Sequence, residues 1–260
     1  MTSKAGWIGA IALWSGFSLA AIGANPSHVQ QLLISKQCVA CDLQGALLQS
    51  ANLQNAVLRG ADLRQANLRN AQLNGADLQG ALFNQAVLDN AALNQAQLTG
   101  ADFSDASLVE VRLARTEIRQ ANFSGADLSG FTALDATFQD VSLRQANLSA
   151  AVLLRASVAE GDFTTANLQA ADMFQFYATR SDFSGADLTG ADLTNARILR
   201  SRFDQANLTN ASLRDATLVD VSFEGAYFCG TIMPDGSENN SSCGEEVALS
   251  QSAGLGVWVR

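Results

Sequence analysis

Histidine, proline and tyrosine are scarce in these 260 residues, which hold 1 His, 2 Pro and 2 Tyr, and only 16% of the chain is charged. Each scarcity excludes something. A histidine-dependent nucleophilic triad would have to be built around His28 alone, and no motif places a Ser or Cys and an acid beside it. His28 is therefore read as a surface residue. The Arg residues, among them Arg59, Arg64, Arg69, Arg197, Arg200 and Arg202, fall among acids and form no basic stripe, which argues against a nucleic-acid partner. Beyond residue 24 no apolar run is long enough to cross a bilayer. What the chain does have is 48% hydrophobic residues, much of it Ala and Leu, and enrichment in so few types points to internal repetition.

The N-terminus stands apart. Residues 1–24 carry Lys4, an apolar run from Ala5 to Ile22, and small residues at Gly23 and Ala24, the pattern of a secretory signal peptide. The competing reading is an uncleaved anchor, because the run approaches the roughly 20 residues that span a membrane.

From Leu43 onward every fifth residue is bulky and apolar: Leu48, Leu53, Leu58 and so on to Phe223 and Phe228, 38 positions without an insertion. Leu fills 23 of them and Phe 9, and the exceptions are Ala133 and Ala178. Two residues before each of these beats Ala appears 28 times, and one residue before, Asp (10) and Asn (6) lead. A period of five suits neither regular element. It would spiral around a helix and alternate faces along a strand. It works if the beat and the two residues before it form a short extended piece, with Ala and Leu inward and Asp or Asn outward, and the next two residues turn a corner. Gly60, Asn70, Gly75, Gly80, Asn90, Gly100 and Gly125 at the second turn position suit that corner.

Phe83, Phe103, Phe123, Phe163, Phe183, Phe203 and Phe223 differ by multiples of 20, with Leu143 filling the gap. Four five-residue sides per turn would stack these rings along one wall of a square coil. In "FSGADLSGFTALDATF" (123–138) the usual small-then-large order is reversed at Phe131 and Ala133, and again at Phe176 and Ala178. Each swap keeps the inward volume nearly constant, so it reads as a repacked core.

Stretches such as "ADLRQANLRN" and "GADLTGADLTNA" resemble the pentapeptide-repeat family, with its motif A(D/N)LXX, over residues 41–230. The resemblance implies an all-β fold, a right-handed quadrilateral β-helix of about nine to ten coils. At about 4.8 Å per coil this is a rod roughly 45 Å long. Both open ends need caps. Residues 25–40 are expected to supply a short N-terminal capping helix, with Asn25 before Pro26 and Val29, Leu32 and Leu33 at helical spacing. Residues 231–260 are expected to form an irregular C-terminal cap in which "MPDGS" turns and the final "GLGVWVR" covers the last coil.

Cys38 and Cys41 lie at one end and Cys229 and Cys243 at the other, too far apart to share a metal. In an exported protein they read as two local disulfides, Cys38 to Cys41 and Cys229 to Cys243. A redox role for the Cys38–Cys41 pair is the alternative, although the βαβ context of such motifs is missing.

With Leu and Ala inward, function falls to the outer walls. On the wall of the Phe column Asp42, Asp62, Asp102, Asp162 and Asp182 line up as a candidate acidic interaction strip, in which Asp162 and Asp182 are neighbours. A solvated ladder that follows the motif's Asp/Asn preference is the plainer reading. Three classes of function compete. The first is a noncatalytic exported scaffold that binds an unidentified protein as a monomer or weak dimer. It would have no cofactor, metal, nucleic acid or, once the signal is cleaved, membrane. Export places it in the periplasm or, as the family's frequency in cyanobacteria implies, in the thylakoid lumen. The second, implied by the family's fluoroquinolone-resistance members, is an acidic DNA mimic acting on gyrase or another DNA-binding protein. The third, an enzyme, is opposed by a filled rod that leaves no concave pocket.

Overall fold

The structure is a computed structural model that describes residues 23–244. The segment 1–22, which carries most of the signal-peptide reading, and the tail 245–260 with "GLGVWVR" lie outside the described residues. Backbone pairing follows one rule throughout: residue n faces residue n + 20 in parallel, from Gln37↔Val57 to Ser212↔Ile232. The chain is thus a parallel β-solenoid with four walls, one for each five-residue repeat. Wall one carries the beats Leu43, Leu63 and Phe83, wall two Leu48 and Leu68, wall three Leu53 and Leu73, and wall four Leu58 and Leu78.

In a repeat with Asp before its beat every backbone amide is paired. In residues 61–65 the amide of Ala61 donates to Leu58 O at the corner (3.0 Å). Those of Asp62, Leu63 and Gln65 donate to neighbouring coils at Cys41, Leu82 and Asn84 O (2.8, 2.8 and 3.0 Å). The fifth amide, of Arg64, lies on the turn and donates to its own repeat's Asp62 Oδ1 (3.2 Å). A buried backbone with no orphan donor is what a solenoid of such short strands needs.

The corner has a fixed conformation. Every fifth residue from Ala40 to Gly230 has φ between 50° and 69°. Eleven of these are Gly and the other 28 are not, including Thr165, Glu160 and Arg180. The corner therefore accepts far more residue types than Gly, Asn, Asp and Gln. Its cost at non-Gly positions, of order 1 kcal/mol or more each, is offset by the inter-coil bond that the same residue donates.

The beats fill the axis: Leu43, Leu63, Phe83 and their equivalents are at most 2% exposed as far as Leu213. The Phe rings stack as the spacing of 20 requires. Centroids are 4.6 Å apart for Phe83–Phe103, 4.9 Å for Phe103–Phe123, 4.5 Å for Phe163–Phe183 and 4.6 Å for Phe183–Phe203. Phe131, Ala133, Phe176 and Ala178 are all buried, so the reversed repeats keep both residues inside. Phe176 meets the column edge-on at Phe183, at 6.4 Å.

Wall four changes character partway along. From Glu117 its pieces lengthen into three-residue strands: β1 Glu117–Arg119, β2 Thr137–Gln139, β3 Ser157–Ala159, β4 Tyr177–Thr179, β5 Arg197–Leu199 and β6 Thr217–Val219. They form one parallel six-stranded sheet. Elsewhere the coils are joined by single bridges. The three β-branched beats of the whole repeat, Ile118, Val158 and Ile198, all lie in this sheet, where such side chains are favoured. None of the six strands carries Asp or Asn before its beat.

The ends are closed differently. Helix α1, Pro26–Ser35, starts at Asn25, whose side chain accepts from Ser27 N, and stops at Lys36 in the left-handed conformation. Val29 and Leu32 are buried against the first coil, whereas Leu33 points outward and is 48% exposed. At the other end β7 Thr231–Ile232 and β8 Glu238–Asn239 form an antiparallel hairpin. The turn within "MPDGS" is closed by Gly236 N donating to Met233 O (2.9 Å). Disulfides join Cys38 to Cys41 and Cys229 to Cys243.

Candidate interaction surfaces

Each Asp or Asn that precedes a beat has a structural task. All 16 accept, through Oδ1, a hydrogen bond from the backbone N–H two residues on, at 2.9–3.4 Å. This Asx turn satisfies the one amide that the coil leaves over. The motif's acidity is thus first a property of the corner.

The same side chains also link coils. On wall two Asn147 Nδ2 donates to Asp127 Oδ1 (2.9 Å) and Asn167 Nδ2 to Asn147 Oδ1 (3.0 Å), the start of an amide ladder along the rod. Where Asx is missing on wall three, the previous coil substitutes: Asn74 Oδ1 accepts from Asn94 N (3.0 Å) and Asn94 Oδ1 from Ala114 N (2.9 Å).

The candidate acidic strip does form one column, with Asp42 beside Asp62 and Asp162 beside Asp182, but its charge is largely spoken for. Asp62 pairs with Arg64 (2.5 Å), Asp162 with Arg144 (3.1 Å) and Asp182 with Arg202 (3.6 Å). Asp102 accepts from Asn84 (2.7 Å) and Asn122 (3.0 Å). The hydrogen bond from Arg64 holds the Asp62 carboxyl below the ordinary Asp range. At Asp102 and Asp162 burial pushes upward, yet hydrogen bonds, led by those from Asn84 and Thr164, outweigh it and leave both carboxyls lowered. Asp204, off the strip, is lowered by the Ser222 hydroxyl and then by Arg202.

Other walls repeat the pattern: Arg69–Asp89 at 2.9 Å, Arg155–Asp135 at 2.8 Å, Arg180–Glu160 at 2.7 Å, and Arg59 with Asp77. Among the described residues Arg112, Arg115, Arg197 and Arg214 make no ion pair. No group of three or more His, Cys, Asp or Glu among the described residues is arranged to hold a metal. None of their helices is long and apolar enough to cross a membrane.

His28 is more than a surface residue. It is half-buried, and its Nδ1 accepts from Asp42 N at 3.0 Å, tying α1 to the first coil. Sequence reading also passed over the serines that replace inward Ala on wall one. Ser181 and Ser201 are buried. Their hydroxyls accept from Gly161 N (3.2 Å) and Ser181 N (3.1 Å) and donate to Thr179 O (3.1 Å) and Leu199 O (3.0 Å). These amides follow strands of wall four, where the usual corner bond is replaced, so a Ser in place of the inward Ala on wall one is the signal that marks them.

Comparison with known proteins finds the same five-residue repeat in two family models. The pentapeptide repeats (8 copies) family matches residues 41–80, 66–105, 96–132 and 135–169, and the pentapeptide repeats (9 copies) family matches 183–226. No curated protein matches the chain. Among solved structures, HetL, a pentapeptide repeat protein involved in heterocyst differentiation regulation in the cyanobacterium Nostoc sp., is 26% identical. That match covers 83% of this chain and 99% of HetL with a TM-score of 0.48. The plasmid-mediated fluoroquinolone resistance protein QnrB1 is 20% identical over 65% of this chain and 82% of its own, also with a TM-score of 0.48. A pentapeptide repeat protein of the Arabidopsis thaliana thylakoid lumen is 32% identical over 38% of this chain and 66% of its own, with a TM-score of 0.23. The unbroken repeat of five, the four-walled coil and the matches to both repeat families show that the chain belongs to the pentapeptide-repeat family.

Proposed function

We propose that this protein is a noncatalytic, exported scaffold that presents the outer walls of a rigid rod to a protein partner. The observation that carries this reading is the filled axis: buried Leu, Phe and Ala run from Leu43 to Leu213, so recognition is confined to the outside. Export is supported by the apolar segment from Ala5 to Ile22 and by two disulfides with no free cysteine among the described residues, a state that persists in oxidising compartments such as the periplasm or thylakoid lumen. The test is fractionation of the native cell followed by crosslinking and pull-down, with thiols counted by mass spectrometry. The expected result is an exported protein without free thiols, crosslinked to a protein. Recovery from the cytoplasm with four free thiols contradicts it.

The runner-up, a DNA mimic acting on gyrase, draws support from the net charge of −9. Against it stand carboxylates already engaged with Arg and with turn amides. Gyrase supercoiling is expected to be unaffected by the purified protein, and inhibition would favour this reading instead.

A further inference from the structure

Wall three departs from the Asp/Asn pattern in its middle coils. Its outward residues there are Arg112, Thr132, Val152 and Asp172, stacked on consecutive coils. On the edge toward wall four the residues after the beats are Ala114, Leu134, Leu154 and Phe174. They are half-buried and sit one above another, as the bonds from Arg115, Asp135 and Arg155 N to Leu134, Leu154 and Phe174 O require (2.9, 3.2 and 3.0 Å). The opposite edge is trimmed to Gly130, Ala150 and Ala170. Over three coil steps, about 14 Å, the outward column thus runs from a cation, Arg112, through Thr132 and Val152 to an anion, Asp172, beside an apolar edge.

Reversed upon itself, this surface is complementary in three columns at once. With a two-fold axis lying across the wall, midway between the coils of Leu134 and Leu154, Arg112 meets Asp172 and Thr132 meets Val152. On the edge, small Ala114 meets large Phe174 and Leu134 meets Leu154. At the corner, Asp135 meets Arg155, joining two intrachain ion pairs into one network. A parallel pairing, with the two-fold along the rod over this column, would instead set Arg112 on Arg112 and Asp172 on Asp172. Among the described residues neither Arg112 nor Asp172 has an intramolecular ion pair, so both charges are free to meet a partner. We propose that wall three is the contact of a symmetric antiparallel dimer, its occupant a second copy of this chain. Such an isologous contact is the commonest route to a closed homo-oligomer. A contact of a few coils is smaller than the roughly 1,600 Å² of a standard interface, so the dimer is weak and concentration-dependent.

Sedimentation velocity of the purified protein from about 1 μM to about 1 mM, the range in which weak complexes dissociate, tests this. The expected result is reversible dimerisation. Arg112→Asp and Asp172→Arg each place two like-charge contacts in every dimer and are expected to raise Kd about tenfold or more, whereas the Arg112→Asp/Asp172→Arg double variant restores association. Asp172 also caps Phe174 N (3.1 Å), so the Arg112→Asp single variant and the double variant decide should Asp172→Arg fold poorly. Oxidation of Ala114→Cys mixed with Phe174→Cys is expected to give crosslinked dimers that neither variant gives alone. A monomer at every concentration, single reversals without effect, or a double variant as weak as the singles overturns the proposal.

Discussion

The carboxamide of Asn147 makes three hydrogen bonds: Oδ1 accepts from Ser149 N (3.2 Å) and Asn167 Nδ2 (3.0 Å), and Nδ2 donates to Asp127 (2.9 Å). Replacing it with Ala orphans the turn amide and cuts the ladder. Asn147→Ala is therefore expected to cost about 1–3 kcal/mol, measured by thermal or denaturant unfolding, although the beat, the Ala and the spacing of five all survive. At the next turn position but three, Thr165 is β-branched yet has φ 56°, a conformation that strains such residues. Thr165→Asn is expected to raise stability by about 1 kcal/mol, and an unchanged or lower melting temperature would count against a strained corner. The sequence showed that Asp and Asn precede the beat, and outward polarity was enough to explain them. The Asx bond was not legible because it depends on which of the five amides the coil leaves unpaired, a property of the assembled backbone rather than of any one repeat.

Two elements test the packing of the core. Phe131→Ala is expected to cost about 3–5 kcal/mol through the cavity it leaves. Adding Ala133→Leu should recover a good part of it by non-additivity, since both side chains point to the axis. A double variant that melts no higher than the single one contradicts that placement. Gly161 tests the strand side of the coil. It occupies the inward position where Ala prevails, yet a Cβ there would lie 2.5 Å from Val158 Cγ1 and 2.9 Å from Phe163 Cε2. Gly161→Ala, which restores the family consensus, is therefore expected to destabilise by about 1–3 kcal/mol. The reversed Phe–Ala repeats were readable from the sequence because volume is conserved within a single repeat. The strands of wall four were hidden in a coarser rhythm: Ile118, Val158 and Ile198 recur every 40 residues, and only the stacking of coils shows that they share a wall. Leu33 followed helical spacing but is largely exposed, because only the stripe of Val29 and Leu32 rests on the first coil.

Along the rod, many carboxylates are held by Arg or by hydrogen bonds. Asp62, Asp102, Asp162 and Asp204 all have carboxyls lowered in the folded state. A depressed folded value means that their stabilisation is present above the unfolded Asp value of about 4 and is lost as pH falls through the folded values. The melting temperature is expected to stay nearly level from neutral pH to about 5 and to fall below about 4, and a melting temperature that rises on acidification contradicts the pairing of these carboxylates. The coil of 20, the stacked rings and both cysteine pairs were legible because each recurs or sits at a fixed spacing. The self-complementarity of wall three was not, because it appears only when residues 20 apart are set in columns and one column is read backward. The most direct test of the four-walled coil is NMR of protein labelled at phenylalanine. Contacts are expected between the rings of Phe83 and Phe103 and between those of Phe103 and Phe123, whose centroids lie 4.6 and 4.9 Å apart. Rings of Phe83, Phe103 and Phe123 without mutual contact would contradict the coil and with it each assignment of inner and outer side chains.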